Sequence, residues 1–177
     1  MTEGINTVTL KGRILNIYNS QGGIAIAKID VGNSQPDVVF TQEFAKNLIG
    51  EYKVGDWILL EGNIQSSYSS ERGIRISIIA DRILPLSYSR AKYENHFEIY
   101  GTVKNVIQMG DMHKVNVNVV SNGYASVVPV TFFDCLDRRL NAETGEPFRV
   151  SGIVYTSQKQ VGDKIRYYQN YVADGIL

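Results

Sequence analysis

The sequence predicts an all-β chain of two tandem five-stranded Greek-key barrels, each with one short helix. Three observations predict it: an internal repeat, a period-two apolar alternation, and one break in that period at the same place in each copy. Gly55-Asp56-Trp57-Ile58-Leu59-Leu60-Glu61-Gly62-Asn63-Ile64 recurs as Gly145-Glu146-Pro147-Phe148-Arg149-Val150-Ser151-Gly152-Ile153-Val154, a shift of 145 − 55 = 90 residues. Gly12 pairs with Gly101 (101 − 12 = 89), and Ala80-Asp81-Arg82-Ile83 pairs with Ala173-Asp174-Gly175-Ile176 (173 − 80 = 93). A repeat of that length is too long for a solenoid unit and long enough for a domain with its own core. The predicted domains are 1–86 and 95–177, with a polar surface linker at 87–94.

The first strand of each copy alternates around a central glycine. Val8, Leu10, Ile14 and Ile17 form one apolar side that bends at Gly12; Phe97, Ile99, Val103 and Val106 repeat it around Gly101. A long strand coiling around a small barrel needs such a kink. The second strands alternate as Ala25, Ala27, Ile29, Val31 and as Val115, Val117, Val119, each after a turn, Gly22-Gly23 and Gly110-Asp111. Val38-Val39-Phe40 and Val130-Thr131-Phe132 are the third strands.

There the period changes. Phe40, Phe44 and Leu48 lie four apart, as do Phe132, Leu136 and Leu140, which predicts a short helix capping one end of each barrel. The Gly-to-Gly motif is the fourth strand, with Ile58 and Leu60, or Phe148 and Val150, facing in and Trp57 facing out. Polar loops are predicted at 66–73 and 156–163, followed by fifth strands at 74–78 and 165–172. Three strands, a helix and two strands is the order of an OB-fold.

Bulk properties narrow the function. The net charge of the 177 residues is zero, and the two halves, split at Ser87, carry 8 − 9 = −1 and 10 − 9 = +1. Neither half is a polycation, which argues against strong non-specific duplex binding. Cys135 is the one cysteine, so there is no disulfide framework and no thiolate metal cluster; beside Leu136 it reads as a small buried hydrophobe. His96 and His113 have no carboxylate or cysteine at metal-ligand spacing. Phosphate-cradling and nucleophile-elbow motifs are missing from the sequence. The expectation is a protein without catalysis, cofactor or metal. With no secretory-signal or membrane-spanning pattern, it is expected in the cytoplasm.

The residues resemble those of the bacterial single-stranded-DNA-binding protein family. In the first half the resemblance rests on Asn6-x-Val8-x-Leu10-x-Gly12-Arg13-Ile14, Val38-Val39-Phe40, Phe44-Ala45, Gly55-Asp56, Leu60-Glu61-Gly62-x-Ile64 and Ala80-Asp81-Arg82-Ile83. In the second it rests on Gly101, Val130-Thr131-Phe132, Gly152-Ile153-Val154, Arg166-Tyr167 and Val172-Ala173-Asp174-x-Ile176. The resemblance implies sequence-independent binding of single-stranded DNA in replication, recombination or mobile-element transfer. It also implies a homodimer, since family members commonly assemble four OB domains. Two departures stand out. The family's tryptophan-rich stretch before the third strand is replaced by Asn33-Ser34-Gln35-Pro36 and Ala125-Ser126-Val127-Val128. Its acidic-tipped tail has no counterpart after Gly175-Ile176-Leu177, so tail-mediated protein recruitment is not expected.

Single-strand binders combine positive charge that tracks the backbone with flat aromatic surfaces on which any base can stack. In the first copy the candidates are Lys11, Arg13 and Tyr18 on the first strand, then Tyr68, Arg72 and Arg75 around the last loop. In the second copy they are Tyr100, Lys104, Lys114, Asn116, Tyr155, Lys159, Lys164, Arg166 and Tyr168. Phe40 and Phe132 match a family stacking position and also begin the helix pattern, so stacking and core packing both stand. Tyr167 is a further candidate that shares the inward register of Ile74, so nucleic-acid contact and core packing both stand. Two other functions stay open on sequence: a protein-interaction accessory that has lost its DNA face, and an RNA-binding OB protein.

Overall fold

The computed structural model describes residues 3–133, 140 and 142–177. The first copy folds as β1 (Ile5–Ser20), β2 (Ile24–Asp30), β3 (Asp37–Thr41), α1 (Gln42–Glu51), β4 (Trp57–Ser69) and β5 (Gly73–Pro85). The second folds as β6 (Glu94–Met109), β7 (Met112–Ser121), β8 (Tyr124–Phe133), β9 (Pro147–Val161) and β10 (Lys164–Ile176). Hydrogen bonding closes the first copy in the cyclic order β1-β2-β3-β5-β4, in which only the β3–β5 pair is parallel. The second closes identically as β6-β7-β8-β10-β9, with β8–β10 parallel. The chain is all-β, with two tandem OB barrels.

Alternation fills both interiors. Val8, Leu10, Ile14, Ala25, Ala27, Ile29, Ile58 and Leu60 are buried in the first barrel, and Phe97, Ile99, Val103, Val115, Val117, Phe148 and Val150 in the second. The apolar side of β1 changes parity between Ile14 and Ile17 because the register slips by one residue between Ile14 and Asn16. The slip recurs between Val103 and Asn105. In β1 the extra residue, Leu15, turns Ile17 back against the core; in β6 the residues after Lys104 are all exposed, so Val106, expected inside, lies outside because the strand has left the barrel.

The repeated glycines stand where strands converge. A Cβ on Gly12 would lie 1.9 Å from the carbonyl oxygen of Asp30, and one on Gly101 would lie 2.1 Å from that of Asn118. Gly12 also marks a change of partner. Before it, β1 pairs with β6 over Ile5–Lys11; after it, β1 pairs with β2 over Arg13–Ser20. One strand thereby closes its own barrel and joins the other.

That joint has a local twofold. β1 and β6 are antiparallel with Val8 opposite Phe97, and 97 − 8 = 89 is the Gly12-to-Gly101 shift. Val8 and Phe97 therefore sit on the axis, and the pairs on either side are reciprocal: Ile5 faces Tyr100 and Lys11 faces Glu94. The surrounding bonds are reciprocal: Val127 N–H donates to Ser66 Oγ at 2.9 Å, and Gln35 N–H donates to Thr156 Oγ1 at 3.0 Å. Such an arrangement is the intrachain form of an isologous interface. Inside each barrel an asparagine holds the strand opposite. Asn6 bonds both the N–H and the C=O of Ile64, at 2.8 and 2.7 Å; Asn95 does the same to Val154, at 2.9 and 2.8 Å.

Several expectations are corrected. The stretches 66–73 and 156–163 are mostly strand rather than loop, because β4–β5 and β9–β10 continue as hairpins beyond the barrels. A hairpin projecting into water satisfies its backbone without burying an apolar face, so it leaves no hydrophobic alternation to read. On α1, Ala45 and Leu48 are buried while Phe44 is exposed. The helix expected from Phe132, Leu136 and Leu140, with Cys135 on it, falls largely on 134–139, outside the described residues. The segment between β5 and β6 contains a single 3-10 turn, Tyr88–Arg90, and does not run free. Tyr93 packs on the outward Trp57 with ring centroids 5.0 Å apart.

Candidate nucleic-acid interface

Local twofold symmetry brings the two projecting hairpins to one cleft. Equivalent residues line it from both barrels: Ile26 with Lys114, Ile74 with Tyr167, Arg75 with Tyr168, and Ile76 with Gln169. Its volume is about 550 Å³. Three predicted residues meet here, Arg75 from the first barrel and Lys114 and Tyr168 from the second. Sequence separation hides this, because residues on opposite barrels become neighbours only through the β1–β6 joint.

The remaining hairpin residues flank the cleft. Tyr68 is 77% exposed near the β4–β5 tip, where Arg72 also lies, its N–H fixed by Ser69 Oγ at 3.0 Å. Lys159, Lys164 and Arg166 are exposed along β9–β10, with Lys159 directly opposite Arg166. Among the described residues no ion pair engages Arg72, Arg75, Lys114, Lys159, Lys164 or Arg166. Their charge is available to a polyanion. Tyr155 stands at the base of β9 in a separate, more apolar slot of about 270 Å³ with Met109, Met112 and Phe133, and Lys114 lines that slot as well.

Other candidates lie elsewhere. Phe40 and Phe132 are both 0% exposed, so the stacking role is withdrawn from them. They point into the barrels where the helix pattern begins, and Phe132 packs edge-on against Phe148 with centroids 5.8 Å apart. Lys11 pairs with Glu94 beside the β1–β6 joint, and Arg13 lies 3.9 Å from Asp30. Tyr18 is half-exposed at the far end of β1. Tyr100 lines a different depression with Gly4, Asn118 and Pro147. Lys104 is the exposed extra residue of the β6 irregularity. Asn116 donates from Nδ2 to Asn105 Oδ1 at 2.8 Å, which occupies one of its donors.

Sequence reasoning misses two residues of the cleft region, Lys28 and Gln169, and leaves Tyr167 undecided. Tyr167, for which core packing and nucleic-acid contact both stood, is 64% exposed. Its register is that of the buried Tyr171 and Ala173, as expected, but at Tyr167 the hairpin has already left the barrel. Lys28 of β2 places its Nζ 5.5 Å from the Tyr167 ring centre, within cation–π range, and 3.0 Å from Asp37 Oδ1. Gln169 bridges the barrels: Asp37 N–H donates to its Oε1 at 2.9 Å, and its Nε2 reaches Asp37 O and Tyr171 Oη, each at 3.4 Å. Burial pushes the Tyr171 phenol up to about 12, partly opposed by that bond from Gln169. The length of the polar stretch 156–163, too long for a tight turn, is the one sequence signal for a projecting hairpin.

The positions where the family resemblance placed tryptophans have another use here. Ser34 Oγ donates to Val154 O at 2.7 Å, while Gln35 and Val127 form the reciprocal bonds to Thr156 and Ser66. The Ser34 hydroxyl and the backbone N–H groups of Gln35 and Val127 knit the barrels together. Among the described residues there is no group of three or more His, Cys, Asp or Glu placed to hold a metal, and no helix long and apolar enough to cross a membrane.

Comparison with known proteins places the fold in context. Residues 8–86 match the family model of an OB-fold nucleic acid binding domain. A search of curated protein sequences finds no match. Among solved structures, a deletion mutant of the single-stranded DNA binding protein from Thermus aquaticus superposes with a TM-score of 0.73 at 16% identity, covering 100% of this chain and 95% of that one. The wild-type Thermus aquaticus protein gives 0.71 at 16% identity, covering 99% and 93%. At that identity the likeness is one of fold, and it extends over both barrels.

Proposed function

We propose that this chain binds single-stranded DNA without sequence preference, through groove electrostatics and tyrosine stacking, and without catalysis. The observation that carries the reading is the shared cleft, where cations from both barrels, Arg75 and Lys114, meet exposed tyrosines of the second, Tyr167 and Tyr168. Arg75 and Lys114 supply charge to the phosphates; Tyr168, with Tyr68 at the rim, supplies ring faces to the bases. The likeness of fold to a single-stranded DNA binding protein supports it. The functional units are domains 1–86 and 95–177 joined by 87–94. Two chains pair as a homodimer that presents four barrels, in the cytoplasm, to protect single strands during replication, recombination or mobile-element transfer. Light scattering tests the dimer, with an expected mass of 2 × 19.8 = 39.6 kDa.

The experiment is a fluorescence anisotropy titration with labelled oligo-dT of several lengths at two salt concentrations, with duplex DNA and RNA as controls. Binding to dT should weaken with salt, at a log-log slope near −0.7 per phosphate neutralised. No binding to dT at low salt would overturn the reading. Preference for RNA of equal sequence would replace it with the RNA-binding one.

A further inference from the structure

The two hairpins that line the cleft are equivalent by symmetry and unequal in chemistry. On the second-barrel side, the Gln169 amide holds both the N–H and the C=O of Asp37, and Lys28 lies against Tyr167. Across the twofold, Ile76 stands for Gln169, Pro129 for Asp37, Ile74 for Tyr167 and Asn116 for Lys28. Ile76 has no acceptor and Pro129 has no N–H, so the clasp cannot form there. Ile74 has no ring and Asn116 no charge. Both hairpins are tied to the opposite barrel at their roots, through Ser66 and Thr156, and β9–β10 alone adds the Gln169 clasp farther along its length.

We propose that the β9–β10 side is the principal seat of the strand. There Tyr167 forms a stacking subsite for a nucleobase that is complete only with both barrels present. The inference rests on the single-strand-binding reading and names a residue and an asymmetry that reading does not require. Lys28 steadies the Tyr167 ring, and its partner Asp37 neutralises the ammonium, so the subsite receives a base rather than a phosphate. Phosphates fall to Lys114 and Arg166. Gln169 is a positioning residue: it touches no DNA and sets where the hairpin stands. A ring held in place before binding loses less freedom on binding, which favours the clasped hairpin over its counterpart.

The test compares dT affinities of Tyr167→Ala, Tyr167→Phe, Tyr68→Ala and Gln169→Leu. Tyr167→Ala should weaken binding roughly 5- to 150-fold, the range for removal of a stacking partner, while Tyr167→Phe should bind like wild type. Tyr68→Ala should cost clearly less than Tyr167→Ala, toward the low end of that range. Gln169→Leu should weaken binding, and in its background Tyr167→Ala should cost less than in wild type; a merely structural role for Gln169 would leave the Tyr167 effect unchanged. Equal losses at Tyr68 and Tyr167, or a larger one at Tyr68, would overturn the inference while leaving DNA binding intact. A wild-type chain that binds no dT would overturn the underlying reading and this inference with it.

Discussion

A few residues decide whether each barrel closes. Asn95 bonds both backbone groups of Val154; Asn95→Ala takes the acceptor from the Val154 N–H, while Ser34 Oγ still donates to the carbonyl. The expected loss is about 1–3 kcal/mol in urea unfolding. Gly12→Ala forces a methyl against the Asp30 carbonyl, which leaves no room for a side-chain adjustment. A loss of about 1–3 kcal/mol is expected there by the same measurement. Tyr171 gives the protein an alkaline limit. Its phenol ionises near 10 in the unfolded chain and at about 12 when folded, so above 10 the unfolded state binds fewer protons and stability falls as pH rises. This contribution is fully present below 10; about 2–3 kcal/mol should be lost between 10 and 12, and Tyr171→Phe should remove that part of the pH dependence.

At the scale of elements, the hairpins do what the barrel walls cannot. A barrel wall faces its core on one side, whereas a projecting hairpin exposes both faces and carries Lys159, Lys164 and Arg166 into solvent. Replacing these three by Gln should leave the melting temperature nearly unchanged. The same change should reduce the magnitude of the salt slope for dT binding by up to about 2, at roughly 0.7 for each phosphate no longer neutralised. An unchanged slope would show that the strand runs elsewhere. The polar composition that equips these hairpins also hides them from pattern reading. Inward positions of β2, β4, β7 and β9 are legible because each is a buried alternation; the hairpin ends, with nothing to bury, read as loops.

At the scale of the whole molecule, two barrels act as one body. The β1–β6 pairing and the reciprocal bonds of Ser66 and Thr156 tie them along the twofold. Thermal unfolding should therefore follow one transition, with tryptophan fluorescence, which reports Trp57 at the first barrel and its linker, coinciding with far-UV circular dichroism, which reports both barrels. Two separated transitions would show that the joint does not couple them.

The repeat, the alternation and the glycines determined the OB architecture by themselves, because burial and close strand approach constrain residue type at every turn of the barrel. Arg75, Lys114 and Tyr168 were also legible as outward residues of the right chemistry. Only tertiary structure decided which outward residues share a surface. It buried Phe40 and Phe132, neutralised Lys11 with Glu94, exposed Tyr167, and brought Lys28 to Tyr167 and Asp37 to Gln169 from the opposite barrel. The physical reason is that alternation reports which side of a strand a residue takes. It carries no information on where the strand leaves its barrel or what the second barrel lays beside it.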